Sequence, residues 1–176
     1  MSVTLRRAGA DDAAAIADLQ TRSWQDAYAG QLDEGFLAKT LPGALAGYWA
    51  GAFDDRDPRD VVLLADRAGR LDGFIALGRA AADPHLAFID HVHVDPGLRR
   101  HGLGRQLMAA AAREARVQGR GAAYLMVLST NAAALAFYRR LGGHVGEARP
   151  DRVLGLDVTA RRVDWPDLDG LLAACG

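Results

Sequence analysis

The spacing of polar and apolar positions changes several times along the chain, and each change marks an element. Val3 to Ala8 reads as a short first strand. Asp11 or Asp12 then caps a helix whose apolar face is Ala14, Ile16, Ala17 and Leu19. Ser23 to Ala52 predicts two short helices broken at Pro42-Gly43, in a region rich in aromatics: Trp24, Tyr28, Phe36, Tyr48, Trp49 and, just beyond, Phe53. Asp54 to Pro58 is a charged loop. Asp60 to Asp66 and Leu71 to Ala80 form a hairpin turning at Ala68-Gly69-Arg70, and Ala81 to His85 is a further turn. Leu86 to Val94 is a β-branched strand that stops at Asp95-Pro96-Gly97. Leu103, Leu107, Met108, Ala111 and Ala115 recur at helical spacing up to about Gln118, with Gly119 as the stop. Ala122 to Leu128 is an almost unbroken apolar run, as in a strand covered on both faces. Asn131 to Arg140 is helical and ends at Gly142-Gly143. His144 to Ala148 begins a strand, Arg149-Pro150-Asp151 is a turn, Leu154 to Val163 is a last strand, and a short tail helix follows Trp165-Pro166. The order β-α-α-β-β-β-α-β-α-β-β mixes a meander with crossovers, so the reading is an α/β protein with a mixed sheet.

Composition narrows the class without changing that outline. A chain of 176 residues, 50% hydrophobic and 24% charged, reads as one globular domain over 1–176. A formal net charge of −1 supplies no bulk attraction for nucleic acid or an anionic membrane. Cys175 is the lone cysteine, so an intrachain disulfide or a cysteine-based zinc site has no partner residues. Arg6, Arg7, Asp11 and Asp12 interrupt the start where a secretory signal would be apolar, and no apolar run reaches membrane-spanning length. The expected setting is a reducing cytoplasm.

The chemistry concentrates after the strand Leu86 to Val94. Small and basic residues, Gly97 to Arg105, lead straight into a helix. The first N–H groups of a helix have no intrahelical partner and carry roughly half a positive charge, so this junction is suited to phosphate oxygens. A mononucleotide loop needs Lys-Ser/Thr after its second glycine, but Leu103-Gly104 follows Gly102. A dinucleotide loop needs a third glycine where Leu107 stands. What remains is Arg99-Arg100-His101-Gly102-Leu103-Gly104, followed by Arg105. A second segment, Asn131 to Gly143, places Asn131 at a strand-to-helix junction and Tyr138 seven residues on, about two helical turns, hence on the same face. Read alone, Asn131 is an N-cap and Tyr138 the edge of an amphipathic face.

Together these motifs resemble the acyl-CoA N-acyltransferases, the GNAT superfamily. The loop Arg99 to Gly104 matches the family's Arg/Gln-x-x-Gly-x-Gly/Ala pyrophosphate loop. Asn131-Ala-Ala-Ala-Leu-Ala-Phe137-Tyr138-Arg-Arg-Leu-Gly-Gly143 matches its Asn-x-x-Ala-x-x-Phe-Tyr-x-x-Leu-Gly segment, with Gly143 in place of a usual aromatic. The resemblance implies a GNAT fold: a central, mixed but mostly antiparallel sheet of about seven strands, with splayed parallel strands 4 and 5 and about four flanking helices. It implies acetyl-CoA as cosubstrate, its pantetheine along Val92, His93 and Val94 and its pyrophosphate on Arg99, Arg100, His101, Gly102, Leu103, Gly104 and Arg105, with Asn131 beside it. A backbone N–H near Val92 would face the thioester oxygen. The acceptor amine attacks directly through a tetrahedral intermediate, and Tyr138 protonates the leaving thiolate.

Asp90 is the candidate base, two residues from Val92 and so expected on the same strand face, with His91 and His93 on the other. Its alternative is a carboxylate bonded to an arginine. Met126 stands where relatives acting on protein N-termini carry a glutamate. Trp24 and Tyr28, at i and i+4, resemble a Trp-x-x-x-Tyr-x-Gly run seen in small bacterial members and are either one wall of the acceptor pocket or core. No HExxH, cysteine cluster or obvious third ligand accompanies His91 and His93, so no metal is expected. The expected activity is N-acetyl transfer to an unidentified amine, with a non-catalytic acyl-CoA sensor as the alternative. No nucleic-acid or membrane partner is expected, and the last strand and tail are where a homodimer would pair.

Overall fold

The computed structural model describes residues 3–54, 57, 59–79 and 82–176. Seven strands form one sheet: β1 (Thr4–Arg7), β2 (Val61–Arg67), β3 (Arg70–Arg79), β4 (Leu86–Val94), β5 (Ala122–Leu128), β6 (His144–Val153) and β7 (Leu156–Trp165), in the order β1-β2-β3-β4-β5-β7-β6. Every pairing is antiparallel except β4 with β5. The helices are α1 (Ala13–Tyr28), α2 (Leu41–Gly51), α3 (Leu103–Val117), α4 (Ala132–Arg140) and α5 (Leu168–Cys175). Parts of two expected turns, at Asp55, Arg56, Pro58 and at Ala80, Ala81, lie outside the described residues, as do Met1 and Ser2.

Two cores sit on opposite faces of the sheet, as a sheet with two apolar faces requires. One gathers Ile16, Leu19, Leu41, Leu45 and Trp49 of α1 and α2 over Val62, Leu64 and Phe74. The other gathers Leu107, Met108, Ala111 and Ala115 of α3, Leu135 and Tyr138 of α4, and Leu168 and Leu171 of α5, over Ile75, Ile89, Leu125 and Val163. Ala87, Ile89, Ala123 and Leu125 pack there from β4 and β5.

Four local expectations are corrected. Ala14 is exposed, so the buried face of α1 starts at Ile16. The Asp12 carboxylate accepts from Gly9 N–H at 2.9 Å and from the Arg6 guanidinium, leaving the helix N–H groups uncapped by it. Pro42-Gly43 breaks nothing: Pro42 occupies the first turn of α2, where a missing N–H costs no hydrogen bond, and a wide π-type turn, Phe36–Thr40, leads into it. Arg149-Pro150-Asp151 runs inside β6, with Pro150 opposite Thr159. An edge strand tolerates proline, and β6 is the edge. The chain turns instead at Leu154 (φ 50) and Gly155 (φ 83).

Candidate active site

The parallel pair that positions the site is short. β4 meets β5 only at Leu86, Ala87 and Phe88, against Ala122, Ala123 and Tyr124. Beyond that point β5 pairs with β7 and β4 keeps only β3, so the two strands diverge. The edge of β4 from Ile89 to Val94 therefore has no partner strand on the β5 side, and its backbone groups line a cleft of about 1400 Å³. Unpaired strand edges bind extended ligands through their amides. Val92, His93 and Val94 all line this cleft.

At one end of the cleft stands the N-terminus of α3. Asp95 builds the approach: its carboxylate accepts from Gly97 N–H at 3.0 Å and pairs with Arg22 of α1 at 3.2 Å. Arg100 (φ 68) and Gly102 (φ 82) are left-handed, which turns the chain so that α3 begins pointing into the cleft. Gly104 lies close to α4: a Cβ there would stand 3.2 Å from Phe137 Cζ and would press that ring aside by a few tenths of an ångström. Arg100, Gly102, Gly104 and Arg105 line the cleft. Arg99 lines the cleft too, and its guanidinium reaches back to α1, pairing with Asp26 and bonding Ser23 O at 3.3 Å. The His101 ring nitrogen Nδ1 lies 2.9 Å from Arg99 O, and the Leu103 side chain is buried in the core.

Asn131 and Tyr138 occupy the β5 side. Asn131 Oδ1 accepts from Ala134 N–H at 3.0 Å, so it caps α4. Its Nδ2 donates to Tyr28 Oη at 3.2 Å, joining α4 to α1 across the cleft. Tyr138 is buried, with its ring edge-on to Trp165 at 5.8 Å. Burial, reinforced by neighbouring Tyr28, pushes the Tyr138 phenol far above its ordinary range, so it stays protonated at neutral pH. Trp165 also explains the departure at Gly143: a Cβ there would lie 2.6 Å from Val163 Cγ1 and 2.9 Å from Trp165 Cζ2, so the indole fills the volume of a larger side chain.

The other end of the cleft mixes elements far apart in sequence. Trp24 and Tyr28 meet edge-on at 5.0 Å and are both core and cleft wall, which joins the two readings of this pair. Tyr48 of α2, Met126 of β5 and the β6–β7 tip around Asp151 and Val153 complete that end. Tyr48 had no signal beyond its place in the aromatic region.

Asp90 is where the strand-face argument fails. The register of β4 on β3 shifts there: Ala76 pairs with His91 and Leu77 with Ile89, so Asp90 is bulged. Ile89 and Val92, three apart, consequently pack into the same core. Asp90 stands with His91 rather than with Val92: its Oδ2 lies 3.3 Å from His91 Nε2 and 3.5 Å from Tyr48 Oη. Asp90 lines the cleft with its side chain 37% exposed. His93 Nδ1 lies 3.0 Å from Ser23 Oγ. Burial, then the proximity of His91 and Arg99, pushes the His93 imidazole well below its ordinary 6.5, so it is neutral. Among the described residues no group of three or more His, Cys, Asp or Glu is placed to hold a metal ion.

Comparison with known proteins agrees with this geometry. A streptothricin acetyltransferase of Streptomyces lavendulae is 39% identical over 109 residues, 60% of this chain and 56% of that protein, so the chain matches little more than half of that relative's length. The N-alpha-acetyltransferase RimI of Mycobacterium tuberculosis is 34% identical over 125 residues, 68% of this chain and 77% of that protein. In structure, the PaiA N-acetyltransferase of Thermoplasma acidophilum, solved in complex with coenzyme A, aligns with a TM-score of 0.72 at 20% identity, covering 94% of this chain and 100% of that one. The model of the acetyltransferase (GNAT) family matches residues 14–143, which include the splayed strands, the loop into α3 and the α4 segment, and the chain belongs to that family.

Proposed function

We propose that this chain transfers an acetyl group from acetyl-CoA to a primary amine. The observation that carries the reading is the divergence of β4 and β5 beside the N-terminus of α3: an extended donor and a phosphate site share one cleft. The residues fit that donor. Arg100, Arg105 and the first N–H groups of α3 suit a pyrophosphate, and the open edge of β4 suits a pantetheine amide chain. A β4 backbone N–H near Val92 polarises the thioester carbonyl. Asp90 removes one proton from the acceptor ammonium, whose ordinary pKa of about 10.4 for a lysine-like amine would keep it unreactive. The neutral nitrogen attacks the carbonyl carbon. Its second proton passes to solvent as the C–S bond breaks, while Tyr138 protonates the departing thiolate and regains its own proton from solvent.

The acceptor is an amine of a small molecule, a peptide or a protein lysine. Met126 argues against an acceptor handled as relatives handle protein N-termini, and the likeness to a streptothricin acetyltransferase is the reason to put streptothricin first in the panel. The described helices include none long and apolar enough to cross a membrane, in keeping with a cytoplasmic enzyme acting through a single unit, alone or as a homodimer. The test is release of free thiol from acetyl-CoA on adding streptothricin, spermidine, lysine or an alanine-initiated peptide. Amine-dependent thiol release is expected. CoA binding with no thiol release across the panel would favour an acyl-CoA sensor and overturn the proposal.

A further inference from the structure

The seam between α1 and α4 holds a hydroxyl proton that no described residue accepts. Asn131 cannot be turned over, because its Oδ1 accepts from Ala134 N–H at 3.0 Å, a role that an amide NH₂ cannot fill. Its Nδ2 therefore faces Tyr28 Oη at 3.2 Å and donates. Tyr28 Oη is the acceptor in that bond, so the phenol's own proton points elsewhere. Tyr28 lines the cleft and is only 6% exposed, with its ring held edge-on to Trp24 at 5.0 Å. Burial, against the lowering pull of Asn131 and Arg99, raises the phenol above its ordinary 10.0, so the proton is present at neutral pH. A buried donor without a partner is unfavourable, and a ligand oxygen in the cleft would satisfy it.

The sheet decides which ligand that is. Helix α3, whose N-terminus suits the donor's phosphates, packs on one face of the sheet, while Tyr28 belongs to the core on the other face, with α1 and α2. Tyr48 of α2 also lines the cleft, 3.5 Å from Asp90 Oδ2. The donor's pantetheine arm finds its own hydrogen-bond donors on the open backbone edge of β4. The Tyr28 hydroxyl thus stands on the side from which the amine approaches. We propose that Tyr28 is a specificity-determining residue: its hydroxyl, oriented by Asn131, donates to a carbonyl or hydroxyl oxygen that the acceptor carries a few bonds from its reacting nitrogen. The favoured substrates are amino amides, amino alcohols and amino sugars, over alkylamines and polyamines. This rests on the reading of the chain as an acetyltransferase and not on which group is the base. A pocket with a buried donor rejects an analogue that leaves the donor unpaired more strongly than an apolar pocket rejects a missing methylene.

The test takes the panel amine with the highest kcat/KM and an analogue lacking the oxygen nearest its reacting nitrogen. Both are assayed with acetyl-CoA in the wild-type chain and in two variants, and the readout is the ratio of their kcat/KM values. Comparing that ratio between chains cancels the intrinsic reactivity of the two amines. Tyr28→Phe keeps the ring against Trp24 and donates nothing, so the preference for the oxygen-bearing amine is expected to fall about 10- to 100-fold, the cost of leaving a buried donor unpaired. Asn131→Asp keeps the cap on α4 through one carboxylate oxygen, while the other accepts the Tyr28 proton and reverses the bond. The preference should collapse there too, with Tyr28 intact. A merely structural loss would slow both amines alike and leave the ratio as it was. The same ratio in all three chains would overturn the inference, and so would spermidine as the best acceptor. A rise in KM for acetyl-CoA as the sole effect would also overturn it, by assigning the hydroxyl to the donor. If Tyr28→Phe melts early, Asn131→Asp carries the test. No thiol release with any amine would instead remove the acetyltransferase reading, and this inference with it.

Discussion

The two ends of the cleft, proposed above to hold the donor's phosphates and the acceptor, are built in opposite ways. The phosphate end comes from consecutive residues: β4, Asp95 to Gly102 and the first turn of α3 are one continuous segment, and its geometry follows from a turn, two left-handed residues and a helix start. The acceptor end draws Trp24 and Tyr28 from α1, Tyr48 from α2, Asp90 from a bulge in β4, Met126 from β5 and Asp151 to Val153 from the β6–β7 tip. A site made of one segment is fixed by local conformation and suits a ligand that does not change. A site made of five segments can be altered one element at a time without disturbing the other end. The family's common donor chemistry and varied acceptors are consistent with that division.

Breaking the division at its chemical centre gives the largest effect. Tyr138→Phe removes the proposed acid while keeping the ring that packs on Trp165, and kcat should fall about 10²- to 10⁴-fold with little change in CoA affinity measured by calorimetry. Equal activity would remove Tyr138 from the mechanism. At the phosphate end, Arg100→Gly keeps a residue at ease with φ 68 and deletes the guanidinium together with its aliphatic stem. KM for acetyl-CoA should rise about 10-fold, more steeply at low salt, with kcat at saturation unchanged. A fall in kcat at saturating donor would mean that the two ends are not separable.

The smallest effect tests the seam where α1 lies on β4. Because folded His93 is held neutral below its ordinary 6.5, the unfolded chain binds more protons on acidification. Stability contributed by keeping it neutral is therefore complete above about pH 6.5 and is lost as pH falls below it, by at most about 1.4 kcal/mol per pH unit. Melting temperatures between pH 7.5 and 5.5 should decline, and His93→Gln should flatten the decline. An unchanged slope in that variant would show that His93 does not set it.

Both motifs were legible in the sequence because each depends on short-range geometry. The loop at Arg99 to Gly104 and the Asn131 cap need only a turn, a helix start and a fixed spacing. Strand β4 and strand β5 have the bounds that their apolar patterns predict. The misreadings share a cause. Pro150 looks like a turn until its strand is known to be an edge, and Pro42 looks like a break until it is known to fall in a first helical turn. Asp90 looks like a neighbour of Val92 until β3 imposes a register shift.

By itself, then, the sequence determined the elements, their order, the family and the loop that leads from β4 into α3, since those follow from periodicity and local turn chemistry. Tertiary structure decided what Asp90 faces. A bulge belongs to a pair of strands and not to either one, and the pairing of β3 with β4 turns that carboxylate from the side of Val92 to the side of His91 and Tyr48.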